Sequence, residues 1–122
     1  MKFLGLAYEE ERTLNALSTE EWQALRDETL NYVEALRASG HLIDARPLQS
    51  ATRAVTVRVR QGRPAVTDGP FAETKEQLGG YFLFEAASFE EAVRIAEGWP
   101  SARLGTIEVR PIDDELKTDR RY

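Results

Sequence analysis

The chain has 122 residues, 42% of them hydrophobic and 30% charged, with a formal net charge of −5 at pH 7. That length suits one domain with one real core, and the negative balance argues against a general nucleic-acid binder, since phosphate contacts need clustered cations. Cysteine is absent, which excludes disulfides, thiol catalysis and cysteine-ligated metal, and the single histidine, His41, rules out a multi-histidine metal site within one subunit. No stretch approaches the roughly 20 apolar residues of a membrane span, and the N-terminus lacks a signal-peptide cleavage pattern. A cytoplasmic protein without membrane contact is expected.

In chain order, Phe3, Leu4, Leu6 and Tyr8 make residues 2–8 a short strand, with Gly5 marking a close backbone approach. Residues 9–17 read as an acid-rich linker. Ser18 followed by Glu21 is a capping box, and Trp22, Leu25, Thr29, Val33 and Leu36 recur at helical steps, so an amphipathic helix should run to Gly40. His41 to Leu48 reads as a strand, placed at an edge or bulge by Pro47, which cannot donate to a ladder. Val55, Val57 and Val59 alternate with Thr56, Arg58 and Arg60, the pattern of a half-buried strand over residues 54–60. Gln61-Gly62 then turns the chain and Ala65 to Thr67 folds back as a hairpin. Gln is not a residue that a type I′ turn prefers, so a bulged or longer turn is the alternative.

Asp68-Gly69-Pro70 is a sharp turn: Asp can bond backbone amides ahead of it, Gly permits positive φ, and Pro fixes its own φ while removing a donor. Thr74 with Gln77 has the spacing of a capping box for one helical turn over Lys75 to Leu78, stopped by Gly79-Gly80. Tyr81 to Ala86 is apolar on both sides and should be a central strand covered on each face. Ser88 with Glu91 caps a second helix whose buried stripe is Phe89, Ala92, Val93 and Ala96, closing near Gly98. Ile107 and Val109 alternate with Thr106, Glu108 and Arg110 in a last strand that Pro111 ends. Residues 1–112 form the single expected domain, and 113–122 are a charged tail.

The order is β-α-β-β-α-β with an extra short hairpin strand, the split βαβ plan of a ferredoxin-like α+β sandwich. Both helices of that plan lie on one sheet face, so the other face needs a second sheet. A homodimer packed sheet to sheet follows. Burying a few hundred Å² of apolar surface at ~25 cal/mol per Å² supplies several kcal/mol, much of it offset by association entropy.

The run Thr67-Asp68-Gly69-Pro70-Phe71-Ala72-Glu73-Thr74-Lys75-Glu76-Gln77-Leu78-Gly79-Gly80-Tyr81, preceded by Thr56-Val57-Arg58-Val59-Arg60, resembles the signature of the DGPF-domain proteins, a branch of the YCII-related family. The match is close in the middle and C-terminal parts, while residues 1–50 agree in general layout. The resemblance implies a ferredoxin-like domain of the dimeric α+β barrel type that dimerises through its sheet. It implies association with an extracytoplasmic-function sigma factor, and no established reaction. In the wider family a histidine and an aspartate form a proposed acid–base pair, which would resemble His41 with Asp68.

The residues themselves allow two roles each. A carboxylate such as Asp68, at a turn above an apolar cleft, can be a general base when desolvated, or can simply accept the amides of its own turn. Histidine is the side chain that titrates near neutrality, which suits His41 to proton transfer, yet its place just past a helix end also suits contact with the last carbonyls and the helix dipole. Lys75 and Tyr81 can donate to an anionic or carbonyl oxygen, Glu73 can orient one of them, and Phe71 can wall an apolar site; capping, a surface ion pair and core packing are their other uses. Arg46, Arg53, Arg58, Arg60 and Arg63 face a single acid, Asp44, between Leu42 and Val66, and make either a solvated ribbon or an anion-attracting rim. With no Gly-x-Gly-x-x-Gly between strand and helix, no Walker-type loop, no Ser-His-Asp spacing and no acidic metal motif, no cofactor or metal is expected. Two functions fit: a small-molecule pocket near residues 68–71, with enzymatic chemistry or without it, or a non-enzymatic regulatory module that binds a sigma factor or another protein.

Overall fold

A computed structural model describes residues 1–113 of the protein. Its centre is a four-stranded antiparallel sheet of β1 (Lys2–Glu9), β2 (Leu42–Pro47), β5 (Gln77–Glu85) and β6 (Thr106–Pro111), in the spatial order β2-β5-β1-β6. That order, with α2 (Thr19–Ala38) and α3 (Phe89–Glu97) as crossovers, is the expected split βαβ plan. The two strands most apolar in sequence, β1 and β5, occupy the middle.

Their ladder sets the core. Phe3 pairs with Phe84, and Gly5 with Phe82, so Phe3, Phe82 and Phe84 share the face under the helices and are fully buried. A Cβ on Gly5 would overlap the ring of Phe82, which lies over that backbone and stacks on Trp99 with centroids 3.9 Å apart and planes 3° apart. Leu36, Leu42, Ala92 and Ile95 close the cluster.

Capping residues bound the helices as their chemistry requires. Ser18 and Glu21 form the reciprocal box at the start of α2. At its end Gly40 takes φ +82°, the Gly40 amide bonds the Arg37 carbonyl and the His41 amide bonds the Leu36 carbonyl, a Schellman stop. The Tyr32 hydroxyl donates to the Ile95 carbonyl at 2.7 Å and ties α2 to α3.

Several expectations change. The acid-rich linker contains a short helix, α1 (Glu11–Asn15). The helical turn over Lys75 to Leu78 does not form: Gln77 already opens β5, and the register slips where Ala7 pairs with Gly80 but Tyr8 pairs with Leu78, leaving Gly79 as a bulge. Thr74 and Gln77 do interact, but the Gln77 amide donates to the carbonyls of Thr74 and Ala72, bracing a loop. The extra hairpin is larger than expected, β3 (Val55–Arg60) and β4 (Arg63–Asp68), and forms a separate two-stranded sheet. Its turn is two residues long with positive φ at both Gln61 and Gly62, so the type I′ geometry holds despite the Gln. Val55, Val57 and Val59 are 57%, 62% and 56% exposed within one chain, not half-buried. In α3, Ile95 replaces Val93 in the buried stripe, and Phe89 meets Phe3 edge-on while staying largely exposed. Leu36 alone of the predicted α2 stripe is buried, because the N-terminal half of α2 stands off the sheet. Of the predicted tail, all but Asp113 lies outside the described residues.

Gly5→Ala should destabilise the fold by about 1–3 kcal/mol, the usual effect of overpacking a filled core, read as a lower midpoint in urea. An unchanged midpoint would mean that Phe82 does not lie on this backbone.

Candidate functional site

The Asp68-Gly69-Pro70 turn is held at the root of the hairpin by backbone. Gly69 has φ +98°, its amide bonds the Ala54 carbonyl at 2.7 Å, and its own carbonyl accepts the Thr56 hydroxyl at 2.8 Å. On the far side, Glu11 of α1 clamps the loop that follows β2, accepting the Ser50 hydroxyl at 2.9 Å and the Ala51 amide at 2.7 Å. Between these two braced loops lies an open groove of about 840 Å³, lined by Tyr8, Leu48, Val55, Phe71, Gln77 and Leu78 among others. Its walls are mostly apolar; Arg53 and Glu76 supply charged groups, while the Ser50 and Thr74 hydroxyls donate to Glu11 and to the Glu76 carbonyl. Among the described residues no three acidic or histidine side chains converge as a metal group.

Of the predicted site residues, Phe71 lines this groove, 80% exposed. Asp68 ends β4 opposite Val55, exposed, and its carboxylate takes no hydrogen bond or ion pair among the described residues. The turn is therefore built without its side chain. Glu73 is exposed, and Lys75, itself exposed, lies 3.9 Å from the partly buried Glu10, a long contact of small energetic weight. Arg58 is exposed on the hairpin outside the groove lining. Tyr81 alternates with buried Phe82, and so faces the open side of the sheet with Leu6, its ladder partner.

His41 is elsewhere. Its carbonyl accepts the Glu85 amide at the far end of β5 from Gln77, and eight strand steps of ~3.3 Å put roughly 26 Å between the two ends. The ring bridges two helix termini, with Nδ1 2.6 Å from Ser39 Oγ and Nε2 3.2 Å from Glu91 Oε1. Glu91 also accepts the Ala87 amide. The Ala87 bond, with a smaller contribution from His41, holds the Glu91 carboxyl below its ordinary value. Within one chain His41 and Asp68 are not brought together.

One carboxylate carries no mark in the sequence. Glu9, at the end of β1, is half-buried, and burial first, then the nearby Glu11, raises its pKa above the ordinary carboxylate value. Its side chain lies over Gly79, where any Cβ would collide with it. It borders both a smaller cavity of about 250 Å³ by α1 and a crevice of about 590 Å³ under α2. Nothing in the acidic run Glu9-Glu10-Glu11 singles Glu9 out; the strand bulge does.

A ferredoxin-like sheet with one helix-covered face, one open face and a groove at the root of an inserted hairpin defines a small α+β domain of the dimeric α+β barrel type. Over residues 1–115 the chain matches the model of the YCII-related domain, and it belongs to that family. It is 40% identical, over 118 residues covering 92% of both chains, to an uncharacterized protein of Rhizobium meliloti (strain 1021). In structure it is similar to 5-chloro-2-hydroxyhydroquinone dehydrochlorinase (TftG) from Burkholderia phenoliruptrix in complex with 2,5-dihydroxybenzoquinone, with a TM-score of 0.57 and 19% identity over 93% of this chain and 94% of that one.

Two carboxyls with opposite shifts give opposite pH signatures. Glu91 is depressed, so its contribution is full above the unfolded value of 4.5 and lost as pH falls through its folded value; Glu91→Gln should flatten the acid limb of thermal stability. Glu9 is raised, so its folded form favours the proton and stability declines as pH climbs from 4.5 through the folded value. Glu9→Gln should hence raise the thermal midpoint at pH 7, with the advantage vanishing under acid conditions. A lower midpoint at pH 7 would show that the Glu9 charge is satisfied.

Proposed function

We propose that the protein is a cytoplasmic homodimer, joined through the open faces of its four-stranded sheets, that binds a small oxygenated ring compound in the groove beside residues 68–71. The observation that carries this reading is the apolar surface left over in one chain. Leu4, Leu6, Tyr8, Tyr81 and Leu83 are only half-buried on the open face, and the valines of the adjoining hairpin are exposed. A contiguous apolar surface of that kind is characteristic of an interaction site. A symmetric pair would cover the central strand on both sides, which its composition asks for.

The groove opens onto the same face through Tyr8, so a second sheet would roof it. Tyr8 and Phe71 offer flat apolar walls, and the Arg53 guanidinium offers donors for oxygen atoms. The structural neighbour in complex with 2,5-dihydroxybenzoquinone supports this choice of ligand class. Asp68, exposed and unpartnered among the described residues, lies outside the groove lining two residues before Pro70; it is the group we assign to take a proton from a hydroxyl of such a ligand once the second chain desolvates it, and this would make the site enzymatic. Phe71 is assigned as a wall, with Arg58, Glu73 and Lys75 as outer charges.

Sedimentation at micromolar concentration should give the mass of two chains, and Leu83→Arg should give one. With 2,5-dihydroxybenzoquinone at about a hundredfold its dissociation constant, binding adds about 2.7 kcal/mol, a rise of several degrees in thermal midpoint for a domain of this size. Phe71→Ala should abolish that rise. A single-chain mass for the wild type overturns the dimer, and an equal rise in the variant moves the ligand out of the groove.

A further inference from the structure

The crevice under α2 lies on the helix-covered side of the sheet, away from the groove and from the open face. It exists because α2 meets the sheet closely only near its C-terminus: Leu36 is buried, while Trp22 and Leu30, roughly four and roughly one-and-a-half turns earlier, are 48% and 47% exposed. The space beneath, about 590 Å³, falls within the range of small-molecule sites. Its roof is Trp22, Leu25 and Val33, and its floor is the stacked pair Phe82 and Trp99. At one end stands Glu9, whose carboxylate makes no hydrogen bond or ion pair among the described residues, although Arg26, Arg37 and Arg46 also line the crevice; the charge that acts on it is another carboxylate, Glu11.

Even a half-buried carboxylate without a partner carries a desolvation cost, and the backbone makes room for this one: Gly79 is bulged and bare, so the carboxyl can lie over it. A cation beside Glu9 would relieve that charge, and an apolar, aromatic-compatible body would suit the wall formed by two tryptophans and a phenylalanine. We propose that this crevice is a second binding site, for a small organic cation: a primary ammonium that pairs with Glu9, on an apolar body held between Trp22 and the Phe82–Trp99 stack. The ammonium gains a charge-assisted hydrogen bond and the ring faces favour a cation over an anion. The site is independent of dimerisation, because α2 covers the face opposite to the proposed interface.

Both tryptophans of the chain, Trp22 and Trp99, line the crevice, so tryptophan emission of the full-length protein reports on it directly. Titration with 2-phenylethylammonium should give a saturable change at millimolar concentration or below. The neutral 2-phenylethanol and the anionic phenylacetate, which share its body, should bind at least about tenfold more weakly, a difference of about 1.4 kcal/mol. Glu9→Gln should bring the amine down to the level of the alcohol, and Trp22→Ala, at an exposed position, should weaken amine and alcohol alike. Equal affinity for amine and alcohol in the wild type, full amine affinity in Glu9→Gln, or no saturable change with the amine would each overturn the proposal. The amine and alcohol comparison needs no variant, so it decides even if Glu9→Gln folds poorly, and none of these readings depends on the 2,5-dihydroxybenzoquinone experiment.

Discussion

The contact on which this fold depends is a ring lying on bare backbone. Phe82, in the middle of the central strand, sits over Gly5 of its neighbour and under Trp99. The glycine lets the ring drop to the level of the sheet, and the indole then covers it in parallel. Because strand side chains alternate, fixing Phe82 inward fixes Tyr81 and Leu83 outward, and the ladder does the same for Leu4 and Leu6. One packing decision therefore creates both the core on one face and the apolar, half-exposed surface on the other.

The second constraint is the bulge at Gly79. A strand that ran on without it would carry Gln77 and Leu78 in the opposite sense, and Leu78 would not line the groove with Tyr8, its ladder partner. The same extra residue leaves a gap above the sheet that the Glu9 carboxyl fills. The groove and the crevice are thus linked by a single backbone irregularity, with a smaller cavity between them that shares Gly79 with one and Leu78 with the other.

Local chemistry is the part most legible in the sequence. Ser18 with Glu21 and Ser88 with Glu91 announce helix starts because the bonds they make are within four residues, and Gly40 announces an end for the same reason. The β1, β5 and β6 periodicities survive because tertiary packing agrees with them. What is not legible is nonlocal. Thr74 and Gln77 have the spacing of a capping box, but pairing with β1 draws Gln77 into a strand, and the ladder outweighs one helical turn. Val55, Val57 and Val59 announce a strand correctly, yet alternation says only that one face is apolar, and nothing in it says whether the same chain or another covers that face. The Asp-Gly-Pro turn announces itself by composition, and its neighbour Phe71 comes with it. His41 lies at the other end of the sheet, where its contact with Glu91 comes from a residue fifty positions away.

Glu9 shows why titratable sites are hard to find by motif. The run is Glu9-Glu10-Glu11 followed by Arg12, and each of the three carboxylates meets a different fate. Glu10 lies near Lys75 and accepts a weak bond from Thr13, and Glu11 holds the loop at Ser50 and Ala51. Only Glu9 still belongs to the strand, so alternation and the bulge together carry it over Gly79, while Glu10 and Glu11 open α1 and find partners there. Its lack of a protein partner is a consequence of where β1 stops, and a strand one residue shorter would carry that carboxylate away from Gly79 and the crevice.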